Sequence, residues 1–126
     1  MKKMMFAALA VLLMSMAKGD GVITKEKGVY VINTTTLAKD VRGYRGTTPL
    51  KIYVKKNKIQ KIEALKNRET PEYFEEVEAV MFPKYQGLTV KKALSAPVDG
   101  VTGATLSSKA VRENVKRGLE YYLKEK

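Results

Sequence analysis

An alternation of apolar with charged or tyrosine residues marks one pair of strands near the middle of the chain. Leu50–Lys55 alternates in this way, which is typical of a strand with one buried face. After a lysine-rich turn at Asn57, residues 59–65 continue the pattern and predict the antiparallel partner strand. Two shorter runs rich in β-branched residues, 22–24 and Val29–Asn33, predict further strands.

Two segments with apolar residues at helical spacing predict helices beside this sheet. The first covers residues 71–82, with Thr70 as its cap, Pro71 in its first turn and Pro83 as its end. The second runs from residue 107 to residue 124. The residues expected to face the core are Phe74, Val77 and Met81 in the first helix, and Val111, Val115, Leu119 and Tyr122 in the second.

These elements predict an α+β fold, in which a small antiparallel sheet packs against helices. A chain of 126 residues has room for one such domain. Residues 85–98, which connect the two helices, are expected to form a strand or a loop.

The first 17 residues have the pattern of a secretory signal peptide. Lys2 and Lys3 precede an apolar run over residues 4–14, which is short for a membrane span. Ser15 and Ala17 supply small residues at the −3 and −1 positions of a cleavage site. We therefore expect a mature domain at residues 18–126, exported to a periplasmic or other extracytoplasmic location. An uncleaved segment would instead anchor the domain to the membrane.

The composition narrows the chemistry. The chain has neither cysteine nor histidine, which excludes disulfides, thiolate nucleophiles, iron–sulfur sites held by its own cysteines and a Ser-His-Asp triad. Any redox chemistry must therefore come from a bound cofactor. The net charge of +11 favours an anionic partner. Nucleic acid is not expected, because no aromatic stripe separates the basic residues.

Residues 99–108 form a glycine-rich segment of small hydroxyl residues that leads into the last helix. The first turn of a helix has unpaired N–H groups and a partial positive charge. Small residues such as Gly100 and Gly103 let a ligand approach that backbone, so the segment suits a phosphate. The alternative is an ordinary turn and helix cap, in which hydroxyl and carboxylate side chains accept backbone N–H bonds.

The spacing D-G-x-T-G-A-T at residues 99–105 resembles the flavinylation motif of the FMN-binding domain family. That family includes the flavin subunits of the sodium-pumping NADH:quinone reductase and of the Rnf complex. The resemblance implies FMN attached to Thr105 through a phosphoester bond. It also implies a separate flavin transferase, which uses FAD and Mg²⁺ and reads Asp99, Thr102, Gly103 and Ala104.

An upstream segment, E-T-P at residues 69–71, is similar to one that lies near the flavin in this family. The resemblance therefore implies that Glu69 and Thr70 border the flavin ring, although the same residues suit an ordinary helix start. Ser107 and Ser108, with the N–H groups of the helix, are expected to hold the flavin phosphate.

The resemblance implies an exported electron carrier rather than a stand-alone enzyme, with redox partner proteins at or near the membrane. Two alternatives belong to other functional classes. One is a non-redox exported module that binds an anionic partner through the basic surface. The other is a small flavin-dependent reductase, although the short mature chain leaves little room for a substrate pocket beside a flavin site.

Overall fold

A computed structural model of the chain describes residues 21–96 and 98–126. Its four strands form an antiparallel sheet in the order β1-β2-β3-β4, and three helices follow. The elements are β1 (Ile23–Glu26), β2 (Val29–Asn33), β3 (Leu50–Lys55), β4 (Lys58–Ala64), α1 (Pro71–Tyr85), α2 (Val90–Ser95) and α3 (Thr105–Glu125). The predicted α+β fold is confirmed. The predicted signal peptide at residues 1–17 lies outside the described residues.

Two tight turns join the outer strand pairs, β1 to β2 and β3 to β4. Lys27 and Gly28 have φ angles of 52° and 83°, and Lys56 and Asn57 have φ angles of 52° and 64°. Two successive residues with positive φ match the twist of the flanking strands. The second turn pairs β3 with β4 so that Leu50 lies opposite Ala64 at the far end.

The buried face of the sheet is covered by α3 over β2 and β3 and by α1 over β4. The alternation predicted for β3 is confirmed, since Leu50, Ile52 and Val54 are all fully buried. The predicted core residues of both helices are also buried. At Gly118 of α3 a Cβ atom would lie 2.7 Å from the Ile52 side chain, so glycine allows the helix to approach the sheet closely.

A buried polar network ties α3 to the connection between β2 and β3. The Asn114 amide donates to the Ala110 carbonyl at 2.8 Å and to the Thr48 hydroxyl at 3.4 Å, and its oxygen accepts the Thr34 hydroxyl. The Thr34 oxygen in turn accepts the Leu50 N–H at 2.9 Å. Because each buried polar group has a partner, this network fixes the position of the connection, which carries part of the site described below.

The prediction that Pro83 ends the first helix was wrong, because α1 continues through it to Tyr85. A proline in the last turn lacks one N–H, which would have donated to the carbonyl of Ala79. Because Ala79 is exposed, water can reach that carbonyl instead. Tyr85 is 2% exposed, and its burial favours the additional helical residues.

The expectation of a strand or loop at residues 85–98 was also wrong in part, because α2 forms there. The Thr89 hydroxyl accepts the Lys92 N–H at 3.1 Å and caps this short helix. The other boundaries shift by one or two residues, since α3 begins at Thr105 and β1 extends to Glu26. Within the described part of the chain, no helix has the length and apolar character needed to cross a membrane.

Candidate cofactor site

An open cleft lies at the end of the sheet where α1 and α3 begin. Its volume is about 430 Å³, which falls within the range of small-molecule and cofactor sites. Three segments meet there: the loop at residues 43–46, the start of α1 and the start of α3. The residues that line the cleft are Tyr44, Glu69, Thr70, Tyr73, Gly103, Ala104, Thr105, Leu106 and Ser107.

Most of the residues singled out in the sequence lie together in this cleft. They come from two segments more than 30 residues apart, and they are Glu69, Thr70, Gly103, Ala104, Thr105 and Ser107. Asp99 and Thr102 are exposed and lie outside the lining. Ser108 is buried behind the loop, where its oxygen accepts the Val101 N–H at 2.9 Å.

The N-terminus of α3 points its unpaired N–H groups toward this lining. Thr105 is the first helical residue, and it is exposed. Its neighbour Ala104 occupies the cap position, where no described side chain accepts an N–H from the first turn. The first helical bond runs from the Ser108 N–H to the Ala104 carbonyl at 2.9 Å. The helix start therefore presents free N–H groups and partial positive charge beside the Thr105 hydroxyl.

The loop before α3 is held tightly against the helix. At Gly100 a Cβ atom would lie 2.5 Å from the Ser108 Cβ, so only glycine fits without a shift of the backbone. Arg112 donates to the Val98 carbonyl at 3.3 Å, and Gly103 adopts a φ of 91° in the turn that reaches Thr105. These contacts fix the approach of the loop to the first turn of the helix.

Glu69 joins the three segments of the cleft. It is 6% exposed, and its carboxylate accepts the backbone N–H groups of Tyr44 at 3.2 Å and Arg45 at 2.8 Å. The same carboxylate accepts the hydroxyl of Ser107, at the start of α3. A Cβ atom at Gly43 would lie 3.0 Å from it, which explains the small residue there. A buried carboxylate with several donors is a strong and specific tie.

Three exposed apolar side chains on the cleft were not predicted. Tyr44 is 65% exposed, Tyr73 is 61% exposed and Leu106 is 52% exposed. Exposed apolar side chains that share a concave surface mark a ligand site, and aromatic faces suit a flat ring. The sequence held one signal, since Tyr73 lies off the buried stripe of α1 that Phe74 begins.

Comparison with known families agrees with this geometry. A family model described as the FMN-binding domain matches residues 43–120, more than half of the chain. The matched range includes every residue that lines the cleft. The chain belongs to the FMN-binding domain family, and the family predicted from the motif at residues 99–105 is confirmed. In comparisons with curated proteins and with solved structures, no significant match to this chain was found.

The residues of the cleft fit an FMN cofactor. FMN combines a flat aromatic ring system with a phosphate, and the cleft offers a partner for each. Tyr44 and Tyr73 provide aromatic surface for the ring, while the free N–H groups at Thr105 suit the phosphate. Among the described residues, no cluster of acidic side chains could hold a metal ion beside it.

Proposed function

We propose that the chain is an exported electron-transfer flavoprotein domain, with FMN attached to Thr105 through a phosphoester bond. One observation carries this proposal: the exposed Thr105 hydroxyl lies at the free N-terminus of α3 inside an aromatic-rimmed cleft. FMN supplies reversible uptake and release of electrons, which the side chains of this protein do not. The role of the chain is to hold the cofactor and to shape its surroundings.

The attachment is a phosphoryl transfer in which no electrons change hands. The Thr105 oxygen attacks the phosphorus on the riboflavin side of the pyrophosphate of FAD, and the bond from that phosphorus to the bridging oxygen breaks. AMP leaves, and the hydroxyl proton passes to a base. A threonine hydroxyl needs such a base to act as a nucleophile. The carboxylate of Glu69 is not free for this role, because it already accepts three donors in the cleft. A separate Mg²⁺-dependent flavin transferase, with FAD as donor, would supply the activation.

Each part of the site has a role in this proposal. The backbone N–H groups at the start of α3 bind phosphate oxygens, with Ser107 beside them and Ser108 supporting the loop. Glu69 and Thr70 border the ring. The exposed residues Asp99 and Thr102, with the small residues Gly103 and Ala104, form the surface that the transferase reads. The motif at residues 69–71 and the later loop thereby act on one ligand.

The predicted signal peptide at residues 1–17 supports export, and the family resemblance supports redox partner proteins at or near the membrane. In that setting the open cleft suits an electron carrier, because a partner can approach a cofactor that is only partly enclosed. The domain is proposed as a carrier rather than an enzyme, since the cleft of about 430 Å³ has little room for a substrate beside FMN.

Co-expression of the chain with a flavin transferase tests this proposal. Thr105→Ala should abolish the flavin that survives denaturing electrophoresis, while Thr105→Ser, which keeps a hydroxyl, should retain part of it. Ser107→Ala should retain attachment, because its hydroxyl is not the acceptor. Covalent flavin on the Thr105→Ala variant would contradict the assignment of the site.

A further inference from the structure

Six lysines gather at the end of the molecule opposite the cleft. We call this surface the lysine end, and it consists of Lys25, Lys27, Lys55, Lys56, Lys58 and Lys126. The register of the sheet brings the two outer turns together, since Val29 pairs with Lys55 and Lys55 pairs with Lys58. Five of the six lysines therefore lie in or beside two neighbouring turns.

The end of α3 lies between the two turns and adds the sixth lysine. The Tyr122 hydroxyl donates to the Asn57 side chain at 2.6 Å, and the rings of Tyr122 and Tyr30 lie 5.1 Å apart. Lys25 lies over the Tyr30 ring at 5.0 Å, and Lys126 lies over the Tyr122 ring at 5.8 Å. These contacts place turns and helix end on one surface.

Lysines outnumber carboxylates at the lysine end, where Glu26 and Glu125 are the acidic neighbours in the chain. All six lysines are exposed. The salt bridges found among the described residues involve Lys61 and Arg117, and none of the six lysines takes part in them. Lys91 and Lys92 extend the surface, because the preceding Val90 N–H donates to the Asn57 carbonyl at 2.9 Å. A dense group of unpaired like charges creates a strong local positive potential.

We propose that the lysine end docks onto the surface of an anionic lipid bilayer. Specific protein interfaces are depleted in lysine, whereas lysine dominates this surface. Flexible lysines at the tips of turns suit a fluid layer of anionic headgroups, where each contributes independently. Leu123, which is 41% exposed in the last turn of α3, provides apolar contact at the same end.

This docking would set the direction of the cofactor site. Thr105 begins α3 and Lys126 follows its end, and a helix of 21 residues is roughly 30 Å long. With the lysine end on the bilayer, the cleft opens toward the aqueous phase, where the part of a redox partner that extends from the membrane would reach it. The consequence for electron transfer rests on the proposed function, whereas the binding to lipid does not.

Binding of the full chain to two kinds of vesicle tests the proposal without any flavin. One kind is phosphatidylcholine alone, and the other contains equal amounts of phosphatidylcholine and phosphatidylglycerol. We expect preference for the anionic vesicles that weakens as sodium chloride is added. The test variant removes three charges from the lysine end, with asparagine where φ is positive: Lys27→Asn, Lys56→Asn and Lys58→Gln. The control removes three from elsewhere: Lys39→Gln, Lys66→Gln and Lys116→Gln.

The triple variant at the lysine end should lose about 100-fold of its preference for anionic vesicles, as expected for three lysines at such a surface. The control should keep most of its preference, and any contribution from residues 1–17 is common to both proteins. An equal loss in the two variants would mean that net charge alone matters and would overturn the proposal. So would an unmodified chain that binds both kinds of vesicle equally.

A second measurement does not depend on the folding of a triple variant. The chain has no cysteine, so one introduced cysteine can carry a fluorescent label. Lys58→Cys places the label at the lysine end, and Lys66→Cys places it beyond the opposite end of β4. With anionic vesicles, only the label at residue 58 should become shielded from acrylamide quenching. Shielding of residue 66 without residue 58 would overturn the proposal, as would no shielding of either label.

Discussion

Glu69 is the residue on which the shape of the cleft depends most. Its carboxylate accepts two backbone N–H groups and the Ser107 hydroxyl while it is almost fully buried. Glu69→Gln replaces one acceptor oxygen with an NH₂ group that faces a donor. We expect a loss of about 2 kcal/mol in the free energy of unfolding, measured with urea. Glu76→Gln, an exposed change in the second turn of the same helix, should have almost no effect, and equal stability of the two variants would contradict this role.

Asp99 allows recognition to be separated from stability. The residue is exposed, and within the described part of the chain its carboxylate has no ion pair or hydrogen bond. Asp99→Ala should therefore change the free energy of unfolding by less than about 0.5 kcal/mol. If the transferase reads this carboxylate, the initial rate of flavin incorporation should fall severalfold.

Ser108→Ala should give the opposite result in these two measurements: lower stability, with a normal rate of flavin incorporation into the folded protein. It removes the acceptor of the Val101 N–H and should lower the melting temperature. A normal rate of flavin incorporation into Asp99→Ala would show that recognition does not depend on Asp99, and a large loss of its stability would show that the residue has a structural role.

The buried phenol of Tyr85 makes the free energy of unfolding depend on pH under alkaline conditions. Burial raises the pKa of its phenol to about 12, from an ordinary value of 10.0. The folded state therefore holds this proton more tightly than the unfolded state, so the stabilisation is complete below pH 10 and falls as the pH approaches 12. The difference corresponds to about 2–3 kcal/mol. Tyr85→Phe should show a smaller decline in unfolding free energy over this range, and an identical decline in both proteins would contradict the role of burial.

At the scale of elements, a substitution at Gly100 tests how closely the loop before α3 must approach that helix. Gly100→Ala places a Cβ atom 2.5 Å from the Cβ of Ser108 in the packed helix, and we expect a cost of about 1–3 kcal/mol in unfolding free energy. Gly46→Ala is the matched control, because the nearest atom to its added Cβ lies at 4.0 Å. Thermal unfolding compares the two, and equal melting temperatures would show that the loop can move away.

The strands and two main helices could be predicted because their signals are local. The alternation in Leu50–Lys55 and the apolar spacing in α3 need no knowledge of distant residues. The short helix α2 was missed because six residues give too few apolar positions to define a period. The continuation of α1 past Pro83 was missed because it depends on the burial of Tyr85 against other elements.

The candidate site also has one part that local sequence signals could predict and another that they could not. Thr105 and the residues around it were identified because the motif is contiguous in the sequence. Tyr44 was missed because its loop is held at the cleft by bonds from the N–H groups of Tyr44 and Arg45 to Glu69, which is distant in the sequence. No local pattern of residues reports a contact of that kind, whereas the structure shows it directly.

For the molecule as a whole, the fold places the candidate cofactor cleft and the lysine end at opposite ends. The sheet and α3 run from the cofactor cleft to the lysine end, so an electrostatic contact at one end leaves the other open. The buried network around Asn114 and the close packing at Gly118 join these ends through a single core. The two ends are separated by the length of α3, so binding at the lysine end should leave the occupancy of the cleft by FMN unchanged.

The intact mass of the chain, before and after treatment with a flavin transferase, FAD and Mg²⁺, tests the central claim most directly. We predict an increase equal to one FMN less one water, with the added mass located by fragmentation on the peptide that contains Thr105. Thr105→Ala should show no increase under the same conditions. An unchanged mass with an active transferase, or an added flavin on any other residue, would contradict the account.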